Sequence, residues 1–199
     1  MNETIELILC GVGGQGILSV AQVLTLTAAE HGLACKQSEV HGMSQRGGTV
    51  QAHVRLARGI IHSPLIPAGR AELVVGLEPL ETLRHLHFLK PGGTVVSSTV
   101  TVENLAEYPE RDLVLAELER WPRHSLLDAE ALAREAGNPR TQSTVLVGAV
   151  SPFLPFDVPL YLDVLERMFG SKGQALVEAN RAAFALGRQH SLEVLSELR

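Results

Sequence analysis

A chain of 199 residues can bury one sizeable core, and 45% hydrophobic with 20% charged residues describes a folded globular domain, which excludes disorder and a coiled coil. A formal net charge of −5 leaves no basic footprint, so nucleic acid is excluded as a partner. Two cysteines, Cys10 and Cys35, without Cys-x-x-Cys or Cys/His ligand spacing, exclude a zinc site or a four-cysteine cluster built within this chain. Both cysteines read as small hydrophobes. No basic region precedes an apolar stretch at the N-terminus and no run is apolar enough to span a membrane. A cytoplasmic protein with no membrane partner is therefore expected.

In chain order, residues 5–10 (IELILC) are an apolar run entering Gly11-Val12-Gly13-Gly14-Gln15-Gly16, which predicts a buried strand leading into a tight turn. Ile17, Leu18, Ala21, Leu24 and Ala28 share one helical face, with Gly32 as the stop. A second strand is expected at 34–39. Residues 49–56 alternate, Val50, Ala52, Val54 and Leu56 against Gln51, His53 and Arg55, as a half-exposed strand does. Arg58-Gly59 reads as a turn, and 60–66 as an extended return that Pro64 and Pro67 confine to an edge or loop. Residues 73–77 (LVVGL) predict another buried strand. Pro79 opens a helix running to 89, which Lys90-Pro91-Gly92-Gly93 stops ahead of a strand at 94–98. A short strand at 125–127 precedes a helix over 128–136, capped by Asp128, and further helices follow at 141–150, 158–168 and about 172–189.

Alternating strands and helices give an α/β fold: a three-layer, mainly parallel, Rossmann-like sheet with right-handed crossovers and a helical C-terminal part. Some antiparallel pairing is expected, because no helix separates the strand at 49–56 from the one before it. Neither a repeat nor a linker divides the chain, so 1–199 reads as one domain. The segment 152–156 (PFLPF) offers apolar surface for an interface.

Gly11, Gly13 and Gly16 keep the G-x-G-x-x-G spacing between strand and helix, where backbone N–H groups of the turn, including those of Gly14 and Gln15, can hold a phosphate. The bland alternative is a tight turn with close helix-to-strand packing. Glu39 ends the second strand, where a dinucleotide-binding fold keeps the acid that takes the ribose, so an NAD(P) site competes on spacing alone. The second cluster, His41-Gly42-Met43-Ser44-Gln45-Arg46-Gly47-Gly48, is rich in polar donors and lies between two strands. If those strands are parallel neighbours of the first, this loop faces the glycine turn across the carboxyl ends of the sheet. Arg46 then offers a planar, bidentate fork to a phosphate, with Gly47 and Gly48 leaving it accessible; otherwise it is a surface ion pair. His41 and Ser44 have no acidic partner and no G-x-S-x-G elbow, which argues against a hydrolase. His85 and His87 read as a solvated face.

With both motifs in view, the chain resembles the gamma-type domain of pyruvate and 2-oxoacid:ferredoxin oxidoreductases, most closely the beta subunit of the indolepyruvate enzymes. The carriers are Gly11-Val12-Gly13-Gly14-Gln15-Gly16 and, much more specifically, Val40-His41-Gly42-Met43-Ser44-Gln45-Arg46-Gly47-Gly48. Pro67, the 71–77 strand, Lys90-Pro91-Gly92-Gly93 and the helix near Gly148 extend the resemblance over most of the chain. Glu72 departs from the family's aspartate and Gln142 from an asparagine near that place. The resemblance implies oxidative decarboxylation of a 2-oxoacid such as indolepyruvate, with the acyl group passed to coenzyme A and electrons to ferredoxin. It implies that thiamine diphosphate with magnesium and the [4Fe-4S] clusters sit in a large partner subunit. The small chain would complete the site or shape the interface, inactive alone, with a homodimer open to it when expressed by itself. A stand-alone NAD(P)-binding oxidoreductase and a structural adaptor are the competing readings.

Overall fold

A computed structural model describes residues 4–41, 48–103 and 107–197, with only the backbone of His41 and Glu197. Six strands, β1 (Thr4–Val12), β2 (Ala34–His41), β3 (Thr49–Ala57), β4 (Ala71–Gly76), β5 (Leu89–Ser98) and β6 (His124–Leu127), form one sheet in the order β2-β3-β1-β4-β5-β6. β1, β4, β5 and β6 pair in parallel, whereas β3 runs antiparallel to both β1 and β2. Too few residues separate His41 from Thr49 for the crossover of a dozen or more that a parallel return requires, so β3 must return antiparallel. It slots between β2 and β1. The second strand is thus parallel to the first but not its neighbour, which corrects the arrangement expected from sequence.

Helices α1 (Ile17–Glu30), α2 (Pro79–His85), α3 (Arg111–Glu119), α4 (Ala129–Glu135), α5 (Gln142–Val150), α6 (Val158–Phe169) and α7 (Gln174–Glu197) cover the sheet. Alternation along β1 sends Leu7 and Leu9 into a large core shared with α1, α5, α6 and α7. Ile8 and Cys10 point the other way, into a smaller core with Val74, Val95 and Leu118. Every residue of α5 from Thr144 to Val150 is buried, so this helix has no solvent face. It lies against α7 through glycines on both helices: a Cβ on Gly148 would stand 2.1 Å from the Phe184 carbonyl oxygen, and one on Gly187 would stand 1.9 Å from that of Val145. Tyr161 and Phe184 pack with ring centroids 5.1 Å apart, each fully buried. Burying one such ring stabilises the fold by roughly 1.5–3 kcal/mol.

Three local expectations change. The helix read through residue 89 ends at His85, a short 3-10 turn spans Leu86–Phe88, and β5 pairing already starts at Leu89, opposite Ala71. Lys90-Pro91-Gly92-Gly93 is looped out of that strand with Gly92 at φ 75°, and Lys90 Nζ reaches Glu72 Oε1 at 2.7 Å. Helix α3 was not anticipated, because only Val114 and Leu118 of it are buried and the rest carries no apolar pattern. The 152–156 segment turns inward: Leu154 and Phe156 are buried, and Phe156 packs against His31 and Tyr161. Its apolar surface is spent on the chain's own core.

Candidate functional site

The glycine turn leaves β1 at Val12, at the carboxyl edge of the parallel strands. Gly13 N–H donates to the Gly48 carbonyl at 2.8 Å, so the ends of the turn and of the second cluster meet even though β3 intervenes. Gly14 (φ 102°) and Gly16 (φ 92°) occupy the left-handed region that favours glycine. Gly14 is exposed, with no atom of the described residues within 4 Å of where a Cβ would lie. Gly11 is constrained differently: a Cβ there would meet Gln15 Oε1 at 2.9 Å. Gln15 is a brace. Its Oε1 accepts Val12 N–H at 2.7 Å and its Nε2 donates to the Leu77 carbonyl at 3.0 Å, tying the turn to the end of β4.

Two helix starts converge there. Gly16 begins α1 without a side-chain cap, whereas α5 continues from a 3-10 turn over Pro139–Thr141 that Asn138 caps, its Oδ1 accepting Arg140 N–H at 3.0 Å. A Cβ on Gly16 would lie 3.3 Å from Ser143 Cβ, in the first turn of α5. First-turn N–H groups lack intrahelical partners and carry the positive end of the helix dipole. The uncapped start of α1 beside Gly14 suits an anion such as a phosphate.

Of the residues singled out from sequence, Gly11, Gly13, Gly14, Gln15, Gly16 and Gly48 are therefore brought together, with Gln15 occupied structurally. Ser44, Arg46 and Gly47 lie outside the described residues, as does the side chain of His41. Glu39 sits on the edge strand β2, paired with Ala52, and takes the amide of Gln37. Strands are about 4.8 Å apart; with β3 between, Glu39 is two strands removed from β1, not on the adjacent strand where a dinucleotide fold keeps its ribose acid.

Sequence reasoning passed over the polar residues beneath this rim. Glu78 caps α2, accepting Glu81 N–H at 2.8 Å, and it also takes the hydroxyl of Tyr108. Burial, then that carboxylate, pushes the Tyr108 phenol up. Glu81, 2% exposed, receives Thr49 Oγ1 at 3.2 Å and Arg84 at 2.9 Å on Oε1, while its Oε2 has no hydrogen-bond partner among the described residues. The run Glu78-Pro79-Leu80-Glu81, a capping carboxylate before proline with a second acid three residues on, was the signal. His85 is buried, not on a solvated face; His87 beside it is exposed. Cys10 is buried as expected, its thiol pushed up chiefly by desolvation.

Among the described residues no three His, Cys, Asp or Glu side chains gather as metal ligands, and no helix is long and apolar enough to cross a membrane. Comparison with known proteins places this arrangement. Residues 6–190 match the family model described as Pyruvate ferredoxin/flavodoxin oxidoreductase. Indolepyruvate oxidoreductase subunit IorB of Thermococcus kodakarensis is 35% identical over 96% of this chain and 97% of its own. The protein of that name from Pyrococcus horikoshii is also 35% identical, over 96% and 98%. In fold, the gamma subunit of keto/oxoacid ferredoxin oxidoreductase from Geobacter sulfurreducens superposes with a TM-score of 0.70 at 19% identity, covering 95% of this chain and 99% of that one. The 2-oxoglutarate:ferredoxin oxidoreductase of Magnetococcus marinus, solved with 2-oxoglutarate, coenzyme A and succinyl-CoA, superposes with a TM-score of 0.78 at 18% identity over 97% of this chain. This chain spans 32% of that neighbour's length. With the family model matching nearly end to end and full-length relatives above 30% identity, the chain belongs to the pyruvate ferredoxin/flavodoxin oxidoreductase family.

Proposed function

We propose that the chain is the small subunit of a 2-oxoacid:ferredoxin oxidoreductase of the indolepyruvate type, all of 1–199 acting as one cytoplasmic domain. The reaction it serves decarboxylates a 2-oxoacid oxidatively: carbon dioxide leaves, the acyl group goes to coenzyme A and two electrons pass to ferredoxin. Thiamine diphosphate, magnesium and the [4Fe-4S] clusters belong to a larger partner subunit. This chain completes the site. Its glycine turn, with Gly13, Gly14 and Gly16 at the start of α1, takes a phosphate of coenzyme A, and His41, Ser44, Arg46, Gly47 and Gly48 contribute the remaining polar groups of the site. The observation that carries the reading is the uncapped start of α1 beside Gly14, in a chain matched along its length by indolepyruvate oxidoreductase subunits. The NAD(P) reading is disfavoured because Glu39 stands two strands from the turn.

The test is the complex reconstituted with its larger subunit. Arg46→Ala is expected to raise the apparent KM for coenzyme A about 10- to 150-fold, the equivalent of roughly 1.5–3 kcal/mol for a hydrogen bond to a charged group, and to lower turnover at saturating coenzyme A less. An unchanged coenzyme A dependence accompanied by dissociation of the subunits would make Arg46 an interface residue. Without the larger subunit the chain, alone or as a homodimer, is expected to be colourless and inactive with arylpyruvates and an electron acceptor. Activity of the single chain supplied with cofactors would overturn the partnership.

A further inference from the structure

A buried row of polar side chains on β3 links the underside of α2 to the 58–70 segment. His53 Nδ1 lies 3.1 Å from the backbone N–H of Ile66, and His85 Nδ1 lies 2.7 Å from the carbonyl oxygen of Glu81. Between the two rings stands the Gln51 amide, placed with its Nε2 2.7 Å from His53 Nε2 and its Oε1 3.2 Å from His85 Nε2. Hydrogen-bond accounting then fixes every proton. A backbone N–H only donates, so His53 Nδ1 is an acceptor and, in the neutral ring, the proton is on Nε2. A carbonyl only accepts, so His85 carries its proton on Nδ1 and presents a bare Nε2. The two amide atoms must therefore be exchanged, the oxygen to His53 and the nitrogen to His85; as placed, donor faces donor at one end and acceptor faces acceptor at the other.

We propose that Gln51, His53 and His85 form a one-directional hydrogen-bond relay that latches Ile66 only while both rings are neutral, making the 58–70 segment a pH-sensitive element. A proton added to His53 enters at Nδ1 and sets N–H against the Ile66 N–H. A proton added to His85 enters at Nε2 and meets the amide nitrogen; the amide turns over, presents its nitrogen to His53, and His53 moves its proton from Nε2 to Nδ1, again facing Ile66. Either protonation releases the same latch. Arg55, whose guanidinium donates to the carbonyls of Ser63 and Leu65 at 2.8 and 3.3 Å, keeps hold of the segment beside it, so release is local.

The charged surroundings do not reverse this. From α2 come Glu81 and Arg84, which oppose one another at 2.9 Å, and the following turn adds His87. From β2, Lys36 stands opposite Arg55, and from β1, Glu6 pairs with that arginine while the Cys10 thiol stays neutral. Desolvation is the largest influence on both rings and holds each below the ordinary histidine range. The unfolded chain therefore binds these protons first. Stability from the relay is full above the unfolded value of about 6.5, falls as pH drops through it, and levels off once the folded rings titrate.

Two-bond proton–nitrogen spectra of the labelled full chain, assigned with His53→Gln and His85→Gln, test the proton positions. Above the histidine range, His53 is expected to show its proton on Nε2 and His85 on Nδ1. Protection of the Ile66 amide, taken against the intrinsic exchange rate at each pH, is expected to fall at least tenfold as pH falls through the titration, while Val75 in β4 keeps its protection. In Gln51→Leu the exchange of Ile66 is expected to follow His53 alone. The opposite tautomer in either ring, an Ile66 amide indifferent to the titration, or loss of protection at Val75 in step with Ile66 would overturn the relay.

Discussion

Replacing Gly187 with alanine is expected to cost at least about 3 kcal/mol of stability, well beyond an ordinary point substitution. The added methyl would lie 1.9 Å from the Val145 carbonyl oxygen and 3.1 Å from Ala149 N, atoms of a helix backbone with no rotamer in which to escape. Relief comes only by parting α7 from α5 until carbon and oxygen reach about 3.5 Å, which strips contacts from Phe184, Val145 and Val147 together. Gly148→Ala meets the Phe184 carbonyl in the same way. Gly170→Ala is the control: its Cβ meets nothing within 4 Å and its φ of −58° suits any residue, so a change within about 0.5 kcal/mol is expected. Urea midpoints at constant slope distinguish these. A Gly187→Ala chain within about 1 kcal/mol of the parent would show that the helices do not touch backbone to backbone.

Arg55→Ala should cost about 3 kcal/mol and loosen the segment that follows β3. Glu6 is almost wholly buried, bonded to Arg55 at 2.5 Å and only distantly, at 3.9 Å, to the exposed Arg70. Without Arg55 its carboxylate stays out of water nearly uncompensated, and the carbonyls of Ser63 and Leu65 lose their donor. Among the described residues Arg55 Nε has no hydrogen-bond partner, so part of the cost of burying the guanidinium is not recovered there. Removing both charges in Glu6→Gln with Arg55→Met is accordingly expected to be less harmful than Arg55→Ala alone. Chemical denaturation of the three variants decides it: a double variant worse than the single one would mean that the pair itself, not the stranded carboxylate, carries the effect.

Much of the fold was legible because local rules governed it. The strand, glycine turn and helix from Thr4 to Glu30, the strand at Thr49–Ala57, the helix opened by Pro79 and the cap at Asp128 follow from residue type and period, and each is found. Strand order was not legible: alternation says which face β3 buries but not that β3 enters between β2 and β1, a choice made by tertiary pairing. That one step moved Glu39 away from the glycine turn. At the site, the glycines were readable from spacing, whereas His85 read as part of a solvated face and Glu78 and Glu81 drew no reading at all. They are buried because α2 lies close on the carboxyl end of β4, where a Cβ on Gly76 would meet Thr82 Oγ1 at 1.9 Å. Gln15 illustrates a different limit, since nothing in G-x-G-x-x-G says that the residue before its last glycine spends both ends of its amide on the backbone.

The central place of β1 sets the order in which the nascent chain can mature. This strand is made first, yet its hydrogen-bonding neighbours come late: Val12 pairs with Thr49, and Leu7 with both Val54 and Leu73. Until those segments leave the ribosome, IELILC is an apolar, β-prone stretch with both edges unfilled, the kind of surface that aggregates or is held by a chaperone. The large core waits longer still, because α5 finds its backbone partner only in α7. The core around β1 therefore cannot close before α7 has been made.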